Sequence, residues 1–163
     1  MAVDMFLKFE GIEGESMDKT HAKTIDVLAW SWGLSQSGTT HMGMGAGAGK
    51  ASFQDISVTK YIDRSSPTLM QHVAEGKHIE KAKLIVRKAG GNPLEYYVID
   101  MRDIMITSVS TGGSGGEDRL TENVSINFAD FKVIYTPQNK DGSGAAAVNF
   151  GWGIAENAPK EIA

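Results

Sequence analysis

The fold of this chain is decided by the stretch Lys81-Ala-Lys-Leu-Ile-Val-Arg-Lys88, Ala89-Gly-Gly-Asn-Pro93 and Glu95-Tyr-Tyr-Val-Ile-Asp-Met101. Two runs rich in apolar and β-branched residues flank a segment of turn-forming residues, which is the pattern of consecutive β-strands. Similar short runs precede and follow this stretch. We therefore expect strands along most of the chain.

About eight or nine short strands are predicted in all. Besides the two runs above, the strand-like segments are residues 3–9, 24–32, 51–61, 104–109, 121–128, 131–136 and 147–154. The regular alternation of strands and helices that builds a parallel sheet is missing. The sequence therefore predicts one domain, residues 1–163, that is mostly β and folds as an antiparallel sandwich or barrel.

The alternation of apolar and polar residues predicts which side of each strand is buried. Residues 3–9 alternate in this way, with Phe6 as the exception. In the segment 24–32, the side chains expected to face the core are Leu28, Trp30 and Trp32, and those expected on the opposite side are Ile25, Val27, Ala29 and Ser31.

One helix is predicted, over about residues 66–76. Ser66 is a suitable N-cap, Pro67 suits the first helical position, and Gly76 is a typical C-terminal stop. The apolar residues expected on its buried face are Leu69, Met70 and Val73.

The composition excludes several classes of protein. The absence of cysteine excludes disulfides, thiolate zinc sites, iron–sulfur clusters and cysteine catalysis. Sixteen basic and twenty acidic residues give a net charge of −4, which argues against a nucleic acid as partner. No apolar run reaches the length of a membrane span, and the N-terminus lacks the basic and apolar regions of a signal peptide. We therefore expect a cytoplasmic protein that is not inserted in a membrane.

The glycine-rich stretch 35–50 does not match a nucleotide-binding loop. A P-loop ending at Gly49-Lys50 would need glycine where Met44 stands and serine or threonine where Ala51 stands. The run His41-Met42-Gly43-Met44 could hold a soft metal such as Cu(I), but methionines in a long loop equally suit an adaptable protein contact. We expect no bound metal and no cofactor.

Two further functional hypotheses follow from particular side chains. Glu117, Asp118 and Glu122 could act as paired carboxylates of a hydrolase, although acidic residues after a glycine-rich turn are more often solvated. A monomeric lectin-like sandwich could bind glycans through exposed aromatic residues, for which the candidates are Tyr96, Tyr97 and Trp152. No nucleophile elbow is present, and we expect no catalytic residue.

Three blocks of the sequence resemble the haemolysin-coregulated protein (Hcp) family. The first contains Ile25-Asp-Val-Leu-Ala-Trp-Ser-Trp32, the second runs from Ser66-Pro67 to Gly91, and the third runs from Val109 to Phe128, followed by Tyr135. The matching residues occur in the expected order from residue 3 to about residue 154.

The resemblance implies a β-barrel with one main helix that assembles into a hexameric ring. Such rings stack head-to-tail as the inner tube of the type VI secretion system, a contractile injection device of Gram-negative bacteria. The implied protein is not an enzyme; it is cytoplasmic and secreted without a cleaved signal peptide. The implied partners are further copies of the chain, the type VI sheath and spike proteins, and effector cargo in the lumen.

The resemblance also implies roles for two segments. It places the long glycine-rich loop at the contact between successive rings, where the candidate residues are Thr40, His41, Met42, Gly43, Met44, Gly45, Ala46, Gly47 and Lys50. Ala29 and Ser31, small residues on the predicted outer side of their strand, are candidates for the lumen face.

Overall fold

A computed structural model describes residues 3–38, 50–90 and 92–162. The described residues form ten strands and one helix. The elements are β1 (Val3–Phe9), β2 (Ile25–Ser31), β3 (Leu34–Ser35), β4 (Ser52–Phe53), β5 (Ile56–Tyr61), α1 (Ser66–Glu75), β6 (His78–Lys88), β7 (Leu94–Thr111), β8 (Thr121–Tyr135), β9 (Val148–Gly153) and β10 (Ala158–Pro159). The prediction of a mostly β chain with one main helix is confirmed.

Six of the strands close into an antiparallel barrel. Their order is β8-β5-β2-β1-β6-β7, and pairing of β7 with β8 closes the circle. Strands β9 and β10 extend the sheet beyond β8, and β3 with β4 forms a separate two-stranded sheet. Of the two architectures that the strand pattern allowed, the chain adopts the barrel.

Two strands are longer than the sequence predicts. The segments 95–101 and 104–109 form the single strand β7, and the segments 121–128 and 131–136 form the single strand β8. Arg102 and Asp103 separate the two predicted segments of β7. Asp103 adopts a positive φ of 53°, yet the pairing with β8 resumes at Ile104. β7 therefore remains one strand across this local irregularity, because its cross-strand pairing continues on both sides.

The segment 51–61, which was predicted to be one strand, is divided into two shorter strands. It contains two strands, β4 and β5, that pair with different partners: β4 pairs with β3, and β5 pairs with β2 and β8. Residues 54 and 55 separate them. The chain thus passes from a small hairpin into the barrel wall within this segment.

A β-bulge at Leu28 changes which residues of β2 face the interior. The pairing with β5 shifts between Val27 and Ala29, so the alternation reverses there. Ile25 and Val27 are buried before the bulge, and Trp30 packs against the core after it. Leu28 itself is 39% exposed. The prediction that Leu28 faces the core and that Ile25 and Val27 face outward is therefore wrong, whereas the prediction for Trp30 is confirmed.

The helix begins at Ser66, the residue that was predicted to be its N-cap. Ser66 is already helical, and the N-cap is Ser65, whose N–H donates to the carboxylate of Asp63. Gly76 ends the helix with a left-handed φ of 63°, as its sequence position predicts.

Only part of the predicted helix face is buried. Leu69 is fully buried and His72 is nearly so, whereas Met70 and Val73 are 42% and 36% exposed. The ring Nδ1 of His72 lies 2.8 Å from the carbonyl oxygen of Thr68. Among the described residues, no helix is long and apolar enough to cross a membrane.

A small second core explains the exceptional position of Phe6. This residue lies on the outer side of the barrel with Ile85 and Val98, and Ile134 packs beside them. His21 packs against the Phe6 ring at a centroid distance of 4.9 Å, and the Arg87 guanidinium lies 5.0 Å from the ring centre. The segment between β1 and β2 therefore covers an apolar patch on the barrel wall.

Candidate functional site

One outer side of the barrel carries a row of four serines. Ser31 on β2 lies opposite Ser57 on β5, Ser57 lies opposite Ser125 on β8, and Ser125 lies opposite Ser108 on β7. Directly opposite residues share one side of a sheet. Four adjacent strands therefore present hydroxyl groups in one line.

A second uncharged row runs beside the serines. Ala29 lies opposite Thr59, Thr59 lies opposite Asn123, and Asn123 lies opposite Ser110. The hydroxyl of Thr59 donates to Oδ1 of Asn123 at 2.7 Å. We call these two rows the neutral face; its residues are Ala29, Ser31, Ser57, Thr59, Ser108, Ser110, Asn123 and Ser125. Both residues that the sequence analysis singled out, Ala29 and Ser31, are exposed on it.

An apolar surface lies where β8 and β9 leave the closed barrel. Tyr135 pairs with Val148, and Val133 pairs with Phe150. Tyr135, Val148 and Phe150 are 45%, 65% and 44% exposed, and we call these three residues the apolar stripe. β5 pairs with residues 121–126 of β8 and β9 pairs with residues 130–135, so the ribbon of β8 and β9 extends beyond the strands that close the barrel.

The apolar stripe adjoins the core through Phe150. The Phe150 ring lies 5.6 Å from the ring of Phe131, which is fully buried, and 6.0 Å from that of Trp152. An exposed apolar surface that is contiguous with the core typically marks a contact between proteins. The sequence contained the signal, because Val148, Phe150 and Trp152 alternate with polar or small residues in the predicted strand 147–154.

The long glycine-rich loop leaves the barrel from an ordered base. β3 pairs with β4 through Leu34 and Phe53, Trp32 Nε1 donates to the carbonyl oxygen of Gln54 at 2.8 Å, and Phe53 packs 5.5 Å from Phe131. Lys50 is exposed. The other predicted stacking residues lie outside the described residues: Thr40, His41, Met42, Gly43, Met44, Gly45, Ala46 and Gly47.

The three carboxylates considered for hydrolysis do not form a site. Glu122 is buried and lies 3.3 Å from the ammonium of Lys60, whereas Glu117 and Asp118 are exposed in the loop before β8. Within the described part of the chain, no group of three or more histidine, aspartate and glutamate residues could hold a metal ion.

The aromatic residues considered for glycan binding are engaged by neighbouring side chains. Tyr97 stacks on Trp30 at 5.8 Å, the ammonium of Lys88 lies 5.2 Å from the ring centre of Tyr96, and Trp152 packs against the core. All three candidates are half-buried. They do not form the row of exposed rings that a lectin-like site requires.

A fully buried lysine, which the sequence analysis missed, connects the helix to the barrel. The Lys60 ammonium lies 3.1 Å from Asp63 Oδ1 and 3.3 Å from Glu122 Oε1, and it donates to the Ser66 hydroxyl at 3.2 Å. A signal existed in the sequence, because Lys60 follows Val58 at the spacing of core-facing residues. A charged residue at a core-facing position of a strand predicts a buried partner of opposite charge.

A second ion-pair network fixes the segment between β1 and β2 to the barrel wall. Arg87 is 7% exposed, and it donates to both carboxylate oxygens of Asp18 and to Asp4. The backbone N–H groups of Thr20 and His21 also donate to Asp18. Hydrogen bonding to the Arg87 guanidinium holds the pKa of Asp18 well below its usual range.

Acid is expected to weaken this network in a way that depends on Asp18. Because its folded-state pKa is lowered, Asp18 contributes stability above its unfolded pKa of about 3.9, and that contribution is lost as the pH falls toward the folded-state value. Urea denaturation at pH 7 and pH 3 measures the loss. We expect Asp18→Asn to be less stable than the parent at pH 7 and to lose less stability on acidification. An equal loss in both proteins would contradict a role of Asp18 in the acid response.

The closed barrel, the neutral face and the apolar stripe together define a structural barrel protein with surfaces suited to protein contacts. A family model described as "Type VI secretion system effector, Hcp" matches residues 6–135. The chain therefore belongs to the Hcp family of type VI secretion proteins, which is not a known enzyme family.

Similar proteins agree with this assignment. Protein Hcp1 of Pseudomonas aeruginosa is 59% identical over 159 residues, which cover 96% of this chain and 98% of that protein. A solved type six secretion system protein superposes with a TM-score of 0.92 at 27% identity, covering 98% of this chain and all of the other. Hcp1 from Salmonella typhimurium superposes with a TM-score of 0.78 at 36% identity and covers 98% and 100% of the two chains.

Proposed function

We propose that this protein is the structural subunit of the inner tube of a type VI secretion system. Six copies form a ring, rings stack head-to-tail, and the assembled tube is exported from the cytoplasm without cleavage of a signal peptide. The observation that carries the proposal is the apolar stripe, Tyr135, Val148 and Phe150, which is exposed yet continuous with the core. A neighbouring copy that covers this stripe makes a heterologous contact, and such contacts close into rings when the rotation between subunits permits.

The neutral face supports the assignment of a lumen. Cargo that moves through a tube needs a wall to which charged groups do not bind tightly. The two rows of the neutral face contain serine, threonine, asparagine and alanine and no charged residue. We propose that Ala29 and Ser31 lie on the lumen wall with the rest of this face, where effector proteins are carried. The sheath and spike proteins of the secretion system are the other proposed partners.

Ring stacking is proposed to use the long loop between β3 and β4. Its ordered base holds the two ends of the loop together, since Gln54 N–H donates to the carbonyl oxygen of Gly33 at 3.0 Å. A neighbour that covers this loop, which contains five glycines, would supply apolar area to offset an ordering cost of about 1–2 kcal/mol per residue. The facing ring is the proposed neighbour, and Met42, Met44 and His41 are the proposed contacts.

Negative-stain electron microscopy of the purified protein tests this proposal. We expect rings with a central opening, some of them stacked into tubes. In a variant with residues 40–48 replaced by a short Gly-Ser linker, we expect single rings with unchanged thermal stability, loss of end-to-end tubes and loss of secretion. Tubes in this variant would show that stacking is carried elsewhere. Separated monomers would instead place the loop in the contact within a ring.

A further inference from the structure

A half-buried carboxylate lies at the point where the long glycine-rich loop joins the barrel wall. Asp55 stands between β4 and β5, which pair with different strands. Its Oδ2 accepts from the Thr107 hydroxyl on β7 at 2.7 Å, and its Oδ1 accepts from Nδ2 of Asn127 on β8 at 2.9 Å. We call Asp55, Thr107 and Asn127 the loop clamp. It joins one end of the loop to two strands of the barrel.

A β-bulge in β7 supplies one half of the loop clamp. The pairing of β7 with β8 shifts between Ile106 and Ser108, so Thr107 is the extra residue, and a bulge re-aims the side chain that it carries. The Thr107 hydroxyl also lies 3.2 Å from the carbonyl oxygen of Ser125. Because a hydroxyl has one hydrogen to donate, this carbonyl is its alternative acceptor. Loss of Asp55 therefore leaves Thr107 with a partner on the barrel.

The residues before the loop clamp hold the two ends of the loop to each other. The Gln54 N–H donates to the carbonyl oxygen of Gly33 at 3.0 Å, and the Gln54 carbonyl oxygen accepts from Trp32 Nε1 at 2.8 Å. Phe53 packs against Phe131 of β8, but apolar contacts are non-directional. Hydrogen bonds depend on angle as well as distance. The loop clamp is therefore suited to set the direction in which the loop base leaves the barrel.

We propose that Asp55 is a positioning residue for ring stacking, which orients the loop base so that the loop of each subunit meets the facing ring. This inference rests on the proposed function, in which that loop carries the stacking contact. The role depends on acceptor geometry rather than on charge. Both contacts of Asp55 are with neutral donors, and within the described part of the chain no lysine, arginine or histidine forms an ion pair with it.

Asp55→Ala removes both acceptors of the loop clamp. We expect the ring mass and the melting temperature of the parent, because Thr107 and Asn127 are exposed and bond to water instead. Tubes are expected to need about tenfold more protein, since the six loops of a ring act together and small losses in each multiply. Light scattering and negative-stain microscopy over a concentration series measure both. The control Glu75→Ala removes an exposed carboxylate that accepts from Gln71 Nε2 on α1, and it is expected to assemble like the parent.

Exchanging donor and acceptor separates geometry from charge. Asn127→Asp places two carboxylates against each other and is expected to impair tube formation as Asp55→Ala does. The double variant Asn127→Asp, Asp55→Asn keeps the net charge of the parent. In it, the amide at position 55 donates to the carboxylate at position 127 while its oxygen still accepts from Thr107. We expect this double variant to form tubes at the parent's concentration.

Hydrogen exchange tests the loop clamp independently of stacking. In Asp55→Ala, the Gln54 N–H is expected to exchange about tenfold faster, whereas the amides of β5 around the buried Val58 keep the parent's rate. Mass spectrometry of the peptides that contain residues 52–56 and 57–61 measures this.

Three results would overturn the proposal: unchanged exchange at Gln54, tubes of Asp55→Ala at the parent's concentration, or no recovery in the double variant. A parent that forms rings but no tubes would overturn the stacking role together with the proposed function. Faster exchange in Asp55→Ala would then separate the two, because it would show that Asp55 still holds the loop base.

Discussion

Replacing Lys60 by methionine is expected to lower the free energy of unfolding by about 3–5 kcal/mol, as when one partner of a buried ion pair is removed. Lys60 is fully buried, and its ammonium lies near both Asp63 and Glu122. Methionine keeps most of the apolar stem but leaves two carboxylates in the interior without their cation. Urea denaturation of parent and variant at pH 7 and at one protein concentration measures the difference, since the stability of an oligomer depends on concentration.

Two variants show whether the loss comes from uncompensated charge. The double variant Lys60→Met, Glu122→Met is expected to recover a large part of the stability, because an apolar pair often replaces a buried ion pair at little cost. Lys77→Met removes an exposed lysine and is expected to change stability by about 0.5 kcal/mol or less. A loss below about 1 kcal/mol in Lys60→Met would indicate that water solvates the carboxylates and would contradict the buried network.

The connection through Lys60 also explains how the helix is held. Asp63 and Ser66 lie at the beginning of α1, and Glu122 lies at the beginning of β8. The same ammonium therefore joins the helix, β5 and β8. In Lys60→Met we expect early loss of helical signal on heating, before the loss of the barrel's strand signal, which circular dichroism can follow.

Replacing Val148 by glutamate is expected to change the mass of the particle about sixfold. If the apolar stripe is the contact between subunits of a ring, the parent elutes near six times the chain mass of 17.5 kDa, and the variant elutes near that mass itself. Val148 is 65% exposed in the isolated chain, so a charge there costs the monomer little. In the ring, each of the six contacts would bury an unpaired carboxylate, which is strongly unfavourable. Light scattering at tens of micromolar protein measures both masses.

A matched substitution separates loss of this contact from a general effect of charge. Met17 is 95% exposed, lies in the segment between β1 and β2 and is not part of the β8–β9 ribbon. Met17→Glu is expected to keep the mass of the parent, and both variants are expected to keep the parent's circular dichroism. A Val148→Glu protein that still elutes at six times the chain mass would place the ring contact on another surface. A parent that elutes at the mass of one chain would contradict the ring itself.

The sequence by itself determined the elements that depend on neighbouring residues. Alternation of apolar and polar side chains located the strands, because a strand places successive side chains on opposite sides. Pro67 and Gly76 located the helix through local backbone preferences. Three blocks of residues in the expected order also indicated the Hcp family, which the family match and the similar proteins confirm.

Only the tertiary structure decided the features that depend on pairing between distant residues. The bulge at Leu28 follows from the pairing of β2 with β5, so the local alternation gave the wrong side for Ile25 and Val27. The ion pair of Lys60 and Glu122 joins residues that are 62 positions apart. The neutral face and the contacts of Asp55 depend in the same way on the registers of several strands. Alternation within a strand predicts which side chains share one side, but the partner strands decide what stands beside them and whether that side is covered.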